Sequence, residues 1–150
     1  MIALIGSIIA ITLRAGTSLI YATIGETYTE RSGILNLGLE GMMLMGAVTS
    51  FAVVYYSGSL LLAVCTAMAV GALLALVHAF LSVTMRANQV VSGLSITLFG
   101  TGMASFLGQR LGPASNNHYL VGLAAEKFTP VAVPGLSRLP IVGAVFNQDP

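Results

Sequence analysis

The stretch of sequence that decides the fold is residues 25–47, G-E-T-Y-T-E-R-S-G-I-L-N-L-G-L-E-G-M-M-L-M-G-A. It holds three of the five acidic residues of the chain, Glu26, Glu30 and Glu40, together with Arg31 and five of the seventeen glycines. Long runs of Leu, Ile, Val, Ala and Met lie on both sides of it. Charged side chains between apolar runs mark either a loop at a membrane face or a polar feature at membrane depth.

The composition of the chain is that of an integral membrane protein. Of its 150 residues, 56% are apolar and only 7% are charged, and the mean hydropathy is +0.92. Soluble domains carry about a quarter charged residues, so a surface this poor in charge requires lipid as its solvent. The net charge of +1, with no basic run, gives no support to a nucleic-acid partner. The single cysteine, Cys65, has no partner for an intrachain disulfide.

Four segments are long and apolar enough to cross a bilayer, whose hydrocarbon core of about 30 Å needs about 20 helical residues. They are approximately residues 2–24, 37–56, 60–84 and 89–107, and tight turns at 57–59 and 86–88 join the last three. The predicted fold class is all-α, a polytopic membrane protein with about four transmembrane helices. Residues 1–108 form the predicted membrane domain. Residues 109–150, with all five prolines, are predicted to form an extracytoplasmic loop leading to a next helix that the chain does not include.

The charges of the loops predict an orientation. Arg31 and Arg86 lie in alternate loops, which puts both on one side of the membrane if every segment spans it. Cytoplasmic loops carry an excess of Lys and Arg, so this side is predicted to be cytoplasmic and the N-terminus extracytoplasmic. Arg110 and Lys127 argue the other way, although charges in long translocated loops count for less.

Two of the predicted helices carry residues at strict four-residue spacing, which places them on one face. In the third helix these residues are small and predict a helix-packing seam, within one subunit rather than between two. In the fourth they are polar, with Ser92 and Ser95 beside them, and either bond to neighbouring helices and backbone or line a wet pathway. The small set is Ala63, Ala67, Gly71, Ala75 and Ala79, and the polar set is Gly93, Thr97, Thr101, Ser105 and Gln109.

Two ionisable residues lie inside apolar segments. A charge at the centre of a membrane helix costs about 2.5–3.5 kcal/mol on insertion scales. Arg14 therefore either faces a polar interior, or the first helix consists of two pieces and Arg14 extends its side chain to an interface. His78 is predicted to be packed and hydrogen-bonded. No second His, Cys or carboxylate stands three or four residues from it, so a metal site is not supported.

The charged stretch itself predicts a helix end, a break and a helix start. Thr27 and Glu30 have the spacing of a capping box, and Gly33 permits a sharp turn. Asn36 is a suitable N-cap for the second helix, which puts Glu40 in its first turn, where a negative charge suits the helix dipole. Interrupted helices of this kind place polar backbone at membrane depth in transporters, and a plain cytoplasmic turn is the alternative.

The same stretch strongly resembles the signature of ABC-transporter permease subunits of the branched-chain amino acid and simple-sugar class. Within that class it is most similar to the second permease of nucleoside (purine) importers. The resemblance continues through A-N-Q-V-V-S-G-L at residues 87–94 and P-G-L-S-R-L-P-I-V-G at residues 134–143, and so covers essentially the whole chain. It departs from the family at Ser18, where proline is common. No match occurs to the segment that docks on the ATPase, and family members are about twice as long, so the chain corresponds to an N-terminal half.

The resemblance implies a multi-pass permease of the bacterial inner membrane that passes nucleosides or related small polar solutes. Its implied partners are a second permease subunit, two cytoplasmic ATPase subunits that bind ATP and Mg²⁺, and an extracytoplasmic solute-binding protein, while this chain binds no cofactor and is not an enzyme. A sugar permease is the nearest alternative. A self-associating channel or secondary carrier and a non-transporting permease fragment are alternatives of other classes. The resemblance places six polar residues at or near the translocation pathway: Asn36, Glu40, Asn88, Gln89, Ser92 and Thr97.

Overall fold

The described part of the chain is built from helices only, as the sequence predicted. The structure, a computed structural model, describes residues 2–111, without the side chains of Ile2, Ala3, Ser7, Ala10 and Arg14. Nearly all of the loop predicted at 109–150, and the environment of the Arg14 side chain, therefore lie outside the described residues. The elements are α1 (Ile2–Arg31), α2 (Leu39–Ser57), α3 (Leu60–Ala79), a short π-helix (Phe80–Thr84) and α4 (Gln89–Arg110).

Four of these helical stretches are long and apolar enough to cross a membrane, with α3 and the π-helix forming one continuous span. Two ends differ from the prediction. The first helix continues to Arg31, past the predicted end at residue 24, and α4 continues to Arg110. Hydropathy marks where a helix leaves the apolar layer and not where its backbone hydrogen bonds stop, and both extensions are polar. Because Thr27 and Glu30 lie inside the last turns of α1, the predicted capping box is wrong.

The two predicted tight turns are confirmed. Gly58 ends α2 with φ 66° and a left-handed conformation, which glycine adopts without steric cost, and the Ser59 hydroxyl accepts a hydrogen bond from Leu62 N–H at the start of α3. The second turn contains Arg86 at φ 52° and ends at Asn88. The Asn88 side chain caps α4 by accepting hydrogen bonds from Val90 N–H and Val91 N–H.

Within the second of two compact units, which begins at Glu26, α2 packs against both α3 and α4. The first unit contains the described residues up to Gly25, all of which belong to α1. In the α2–α3 seam, a Cβ on Gly46 would lie 3.9 Å from the Ala67 Cβ. The predicted small-residue face of α3 is buried at Ala63 and half-buried at its other positions. Those other positions are Ala67, Gly71, Ala75 and Ala79. The packing role of this face stays a prediction.

Candidate functional site

The helix break, residues 32–38, separates α1 from α2 and begins with a well-formed helix end. Gly33 has φ 84°, so the predicted sharp turn is confirmed. Gly33 N–H donates to the Glu30 carbonyl at 2.9 Å, and Ile34 N–H donates to the Thr29 carbonyl at 3.0 Å. These two bonds are those of a Schellman motif, in which a left-handed glycine satisfies the last carbonyls of a helix. The chain therefore leaves α1 in a fixed direction.

Side chains of α4 hold the backbone of the helix break. Leu35 N–H donates to Gln89 Oε1 at 2.8 Å, and Gln89 Nε2 donates to the Gly33 carbonyl at 3.3 Å. Further along α4, Thr97 Oγ1 donates to the Leu37 carbonyl at 2.6 Å. The peptide groups of an extended segment need such partners wherever water is excluded. The first turns of α4 thus supply bonds that a continuous helix would have made internally.

Glu26 and Asn36 complete the bonding of the break. Asn36 N–H donates to Glu26 Oε1 at 2.8 Å, while Thr29 Oγ1 donates to Glu26 Oε2 at 2.9 Å. Asn36 Oδ1 accepts from Gly38 N–H at 3.0 Å. This bond is an Asx-type turn, and the N-cap position of α2 belongs to Gly38. The prediction that Asn36 is the N-cap was wrong by two residues, because its side chain closes the turn before the helix rather than the helix itself.

His78 joins α3 to the break and to α4. Its ring is 3% exposed, with Nε2 3.2 Å from the Leu35 carbonyl and Nδ1 3.1 Å from Ser92 Oγ. Ser82 Oγ lies 3.4 Å from Nε2. The prediction of a packed, hydrogen-bonded histidine is confirmed.

Glycines allow α4 to approach the break and the start of α2 at backbone distance. A Cβ on Gly93 would lie 2.7 Å from the Leu37 nitrogen, and a Cβ on Gly100 would lie 2.5 Å from the Gly41 Cα. A Cβ on Gly41 would lie 2.7 Å from the Thr97 Cα. Real Cβ atoms do not tolerate such separations, so larger residues would force the helices apart. This contact fixes where α2 begins relative to α4.

The helix break runs beside helices that are long and apolar enough to span a membrane. Its contacts on α4 extend from Gln89 to Thr97, which is about 12 Å along the axis at 1.5 Å per residue. His78 lies about 9 Å before the end of the π-helix on the same measure. Asn36 and Gly38 are buried, whereas Leu35 and Leu37 are exposed within the described chain. Non-helical backbone at membrane depth is tolerated only where protein or a water-filled cavity covers it, and the α3 and α4 side provides such cover.

The six polar residues predicted for the pathway fall into three groups. Asn36, Gln89, Ser92 and Thr97 come together at the helix break. Asn88 caps α4 at its edge. Glu40 lies in the first turn of α2, as predicted, and is exposed. Their role in a pathway stays a prediction.

The polar face predicted on α4 is only partly a contact face. Gly93 and Thr97 meet the break, whereas Thr101 Oγ1 donates to the Thr97 carbonyl of its own helix and Ser105 and Gln109 are exposed. Residues four apart advance about 40° around a helix of 3.6 residues per turn, so a strict four-residue series winds away from its neighbour. The observed contact face instead returns three, four and seven residues after Gly93. It consists of Gly93, Ile96, Thr97 and Gly100.

Sequence reasoning missed three participants of the site. Glu26, Gly41 and Gly100 were not predicted as part of it, and His78 was predicted as a packed, hydrogen-bonded residue but not as part of this site. The interval of seven between Gly93 and Gly100 was a usable signal, because that interval returns to the same helix face. The bond between Glu26 and Asn36 had no such signal, because it depends on how the break folds back along α1.

Chemically, the site offers neutral hydrogen-bonding groups and one carboxyl group, Glu26. No cluster of His, Cys, Asp or Glu suited to a metal ion occurs among residues 2–111. The arrangement can hold an irregular backbone in place inside a helix bundle and can present amide and hydroxyl groups nearby.

Comparison with known proteins agrees with this architecture. The family described as the branched-chain amino acid transport system permease component matches residues 7–135. Because that match covers most of the chain, the chain belongs to this family of membrane permeases.

Three relatives illustrate the range of the family. A Haloferax volcanii protein provisionally named as a glucose ABC transporter permease, TsgC13, is 41% identical over 92% of this chain and 40% of its own length. The guanosine ABC transporter permease protein NupQ of Bacillus subtilis is 33% identical over 99% of this chain and 47% of its own. The nucleoside ABC transporter permease protein NupC of Lactococcus lactis is 33% identical over 93% and 44%. The chain spans less than half the length of these relatives, and no solved structure matches it.

Proposed function

We propose that this chain belongs to a permease subunit of an ATP-driven importer and forms part of the translocation pathway for nucleosides. The observation that carries the proposal is the helix break beside α4 in a chain of the permease family. Discontinuous membrane helices bring polar backbone and side chains to the middle of a transporter, where a solute can meet them. The exposed side of the break, at Leu35 and Leu37, is the side available to a pathway.

The chemistry of the break favours an uncharged polar solute. Of the amide and hydroxyl groups close to it, those of Gln89 and Thr97 are half-buried rather than buried, and such groups both donate and accept hydrogen bonds. The exposed Glu40 adds an acceptor at the start of α2. A nucleoside presents ribose hydroxyls and base edges that match such groups. Two of the three relatives described above are named for guanosine or nucleoside transport.

A sugar is the second candidate solute. The relative with the highest identity among those three is named for glucose transport, and a monosaccharide uses the same kind of hydrogen bonds. A nucleoside differs in having a flat base, which gains from stacking on apolar or aromatic surface.

The partners follow from the proposed class. A second permease subunit would complete the pathway, two cytoplasmic ATPase subunits would bind ATP and Mg²⁺, and an extracytoplasmic binding protein would deliver the solute. This chain would therefore bind no cofactor of its own and act as a transport subunit. Its location would be the cell membrane, with the N-terminus outside and the end carrying Arg31 and Arg86 in the cytoplasm.

Uptake in a host lacking its own importers tests the proposal. The complete permease is expressed with its partner subunits, and the accumulation of labelled guanosine and labelled glucose is compared. We expect guanosine uptake that unlabelled nucleosides suppress and that a hydrolysis-deficient ATPase partner abolishes. Glucose uptake without guanosine uptake would favour the second candidate. Uptake that persists with the inactive ATPase would contradict an ATP-driven importer.

A further inference from the structure

His78 is an ionisable side chain buried in the most apolar helix of the bundle, and the proposed transport function does not explain it. A polar ring at membrane depth is costly unless its nitrogens are bonded. Both nitrogens do have partners, and these partners lie on two different elements, the helix break and α4. The ring therefore links three parts of the bundle at one point.

The bonding partners determine where the ring hydrogen must be. A carbonyl oxygen only accepts hydrogen bonds, so the contact between Nε2 and the Leu35 carbonyl requires a hydrogen on Nε2. Ser92 Oγ can either donate to Nδ1 or accept from it, so the Nδ1 contact tolerates both possibilities. Of the two neutral tautomers, only the one protonated at Nε2 binds Leu35. The hydrogen bond to the Leu35 carbonyl therefore requires a hydrogen on Nε2, whereas the hydrogen bond to Ser92 forms with or without a hydrogen on Nδ1.

The other anchor of the same segment lies just beyond the π-helix. Gln89 bonds the Leu35 nitrogen while His78 bonds the Leu35 carbonyl. Between the two anchors the chain is closed by backbone bonds from Met85 N–H to the Phe80 carbonyl at 3.0 Å and from Ala87 N–H to the Leu81 carbonyl at 2.9 Å. The N–H and the carbonyl of Leu35 are therefore both bonded by side chains from one short segment of the chain, residues 78–89.

We propose that His78 is a positioning residue for transport, which fixes the Leu35 carbonyl through Nε2–H and so keeps the helix break seated against α4. The inference rests on the proposed function. Within residues 2–111 the His78 ring is the side-chain partner of the Leu35 carbonyl. Without it, a peptide group at this depth must move to find another donor. Movement of the break displaces the start of α2, which is packed on Gly100 with no spare room.

Two amide variants of matched chemistry test the inference. In His78→Gln the amide nitrogen reaches the place of Nε2 and can donate to Leu35, whereas in His78→Asn the shorter side chain reaches only the place of Nδ1. We expect uptake by the complete importer, normalised to assembled complex in the membrane, to fall about tenfold or more in His78→Asn and His78→Ala. Uptake by His78→Gln is expected to stay within about threefold of the unaltered importer. Equal uptake by the Gln and Asn variants, whether high or low, would overturn the inference.

A spectroscopic measurement on the unaltered complex is independent of both transport and variant folding. Nitrogen-15 NMR of the histidine rings, with the His78 signals identified by their loss in His78→Gln, reports which ring nitrogen carries hydrogen. The expected result is a protonated Nε2 engaged in a hydrogen bond, and an unprotonated Nε2 would overturn the inference. If neither guanosine nor glucose is taken up by the unaltered complex, the proposed function fails, while the NMR result still decides the positioning of Leu35.

Discussion

Thr97 and Thr101 are identical residues one turn apart on α4, yet their hydroxyls donate hydrogen bonds to different parts of the structure. Thr97 Oγ1 donates across to the Leu37 carbonyl of the helix break at 2.6 Å, whereas Thr101 Oγ1 donates to the Thr97 carbonyl of its own helix at 2.7 Å. The Leu37 carbonyl belongs to no helix and depends on its side-chain donor. The Thr97 carbonyl already lies within the hydrogen-bonded interior of α4.

Replacement of each threonine by valine separates these two roles. We expect Thr97→Val to destabilise the protein by about 1 kcal/mol, because it removes the side-chain donor of the Leu37 carbonyl. Thr101→Val, the matched control, is expected to change stability by no more than about 0.5 kcal/mol. Denaturation of both variants in the same detergent measures the difference. Equal losses of stability would show that Thr97 does not hold the helix break.

For individual residues, the sequence predicted those features that depend only on residues nearby in the chain. The turn at Gly33 and the place of Glu40 in the first turn of α2 are local matters of backbone and capping chemistry. The function of Asn36 was mistaken because Gly38 N–H, two residues on, competes for its side chain. The hydrogen-bond partners of Glu26 and Gln89 could not be predicted from the sequence, because packing of the helices brings these partners close.

Among the elements, the contact of α2 with α4 sets the position of the second helix. It is made by glycines, so that the backbones touch directly at Gly41 and Gly100. Close backbone approach is the usual basis of helix association in lipid, where apolar burial gives no advantage between helices. The sequence predicted a small-residue face on α3 but did not identify this tighter contact. The interval between Gly93 and Gly100 marks one face of α4, but nothing in the sequence pairs that face with Gly41.

A single methyl group tests the α2–α4 contact. Gly100→Ala is expected to destabilise the bundle by about 1–3 kcal/mol, because its Cβ would lie 2.5 Å from the Gly41 Cα. Gly102→Ala on the same helix meets nothing within 4 Å and is expected to be neutral or slightly stabilising. Thermal unfolding in detergent compares the two variants. A Gly100→Ala protein as stable as the Gly102→Ala protein would contradict the observed packing.

A disulfide tests the other seam, between α2 and α3. The Cβ separation of 3.9 Å between positions 46 and 67 falls within the range that a disulfide accepts. In a background with Cys65→Ser, the pair Gly46→Cys and Ala67→Cys is expected to cross-link readily under mild oxidation. The pair Gly46→Cys and Gly71→Cys, one helical turn further along α3, is the control and is expected to cross-link poorly. Oxidation, thiol labelling and mass spectrometry report the yield, and similar yields for the two pairs would refute the seam.

For the molecule as a whole, hydropathy was sufficient to predict the number of membrane helices in residues 2–111, because each apolar run is long enough to span. It could not predict the break as a structure, since the bonds of residues 33–38 come from α1, α3 and α4. The structure also brings Arg31 and Arg86 to the same end of the second unit, because Gln89 bonds Gly33. The positive-inside rule then predicts a cytoplasmic location for this end.

Accessibility labelling tests the proposed orientation. In the Cys65→Ser background, a cysteine at Ser57 lies in the α2–α3 turn and one at Ala87 lies in the α3–α4 turn, at opposite ends of α3. A membrane-impermeant maleimide on intact cells is expected to label Ser57→Cys and to label Ala87→Cys only after permeabilisation. The reverse pattern would invert the orientation, and labelling of both in intact cells would show that α3 does not span the membrane.

Solute-stimulated ATP hydrolysis tests the proposal that this chain is part of a nucleoside importer driven by ATP. The complete permease is purified with whatever ATPase subunits accompany it, reconstituted in lipid with its solute-binding protein, and assayed with guanosine and with glucose. We expect stable co-purification of an ATPase whose rate rises with guanosine and not with glucose. A permease that retains no ATPase, or an ATPase rate that neither solute changes, would contradict it.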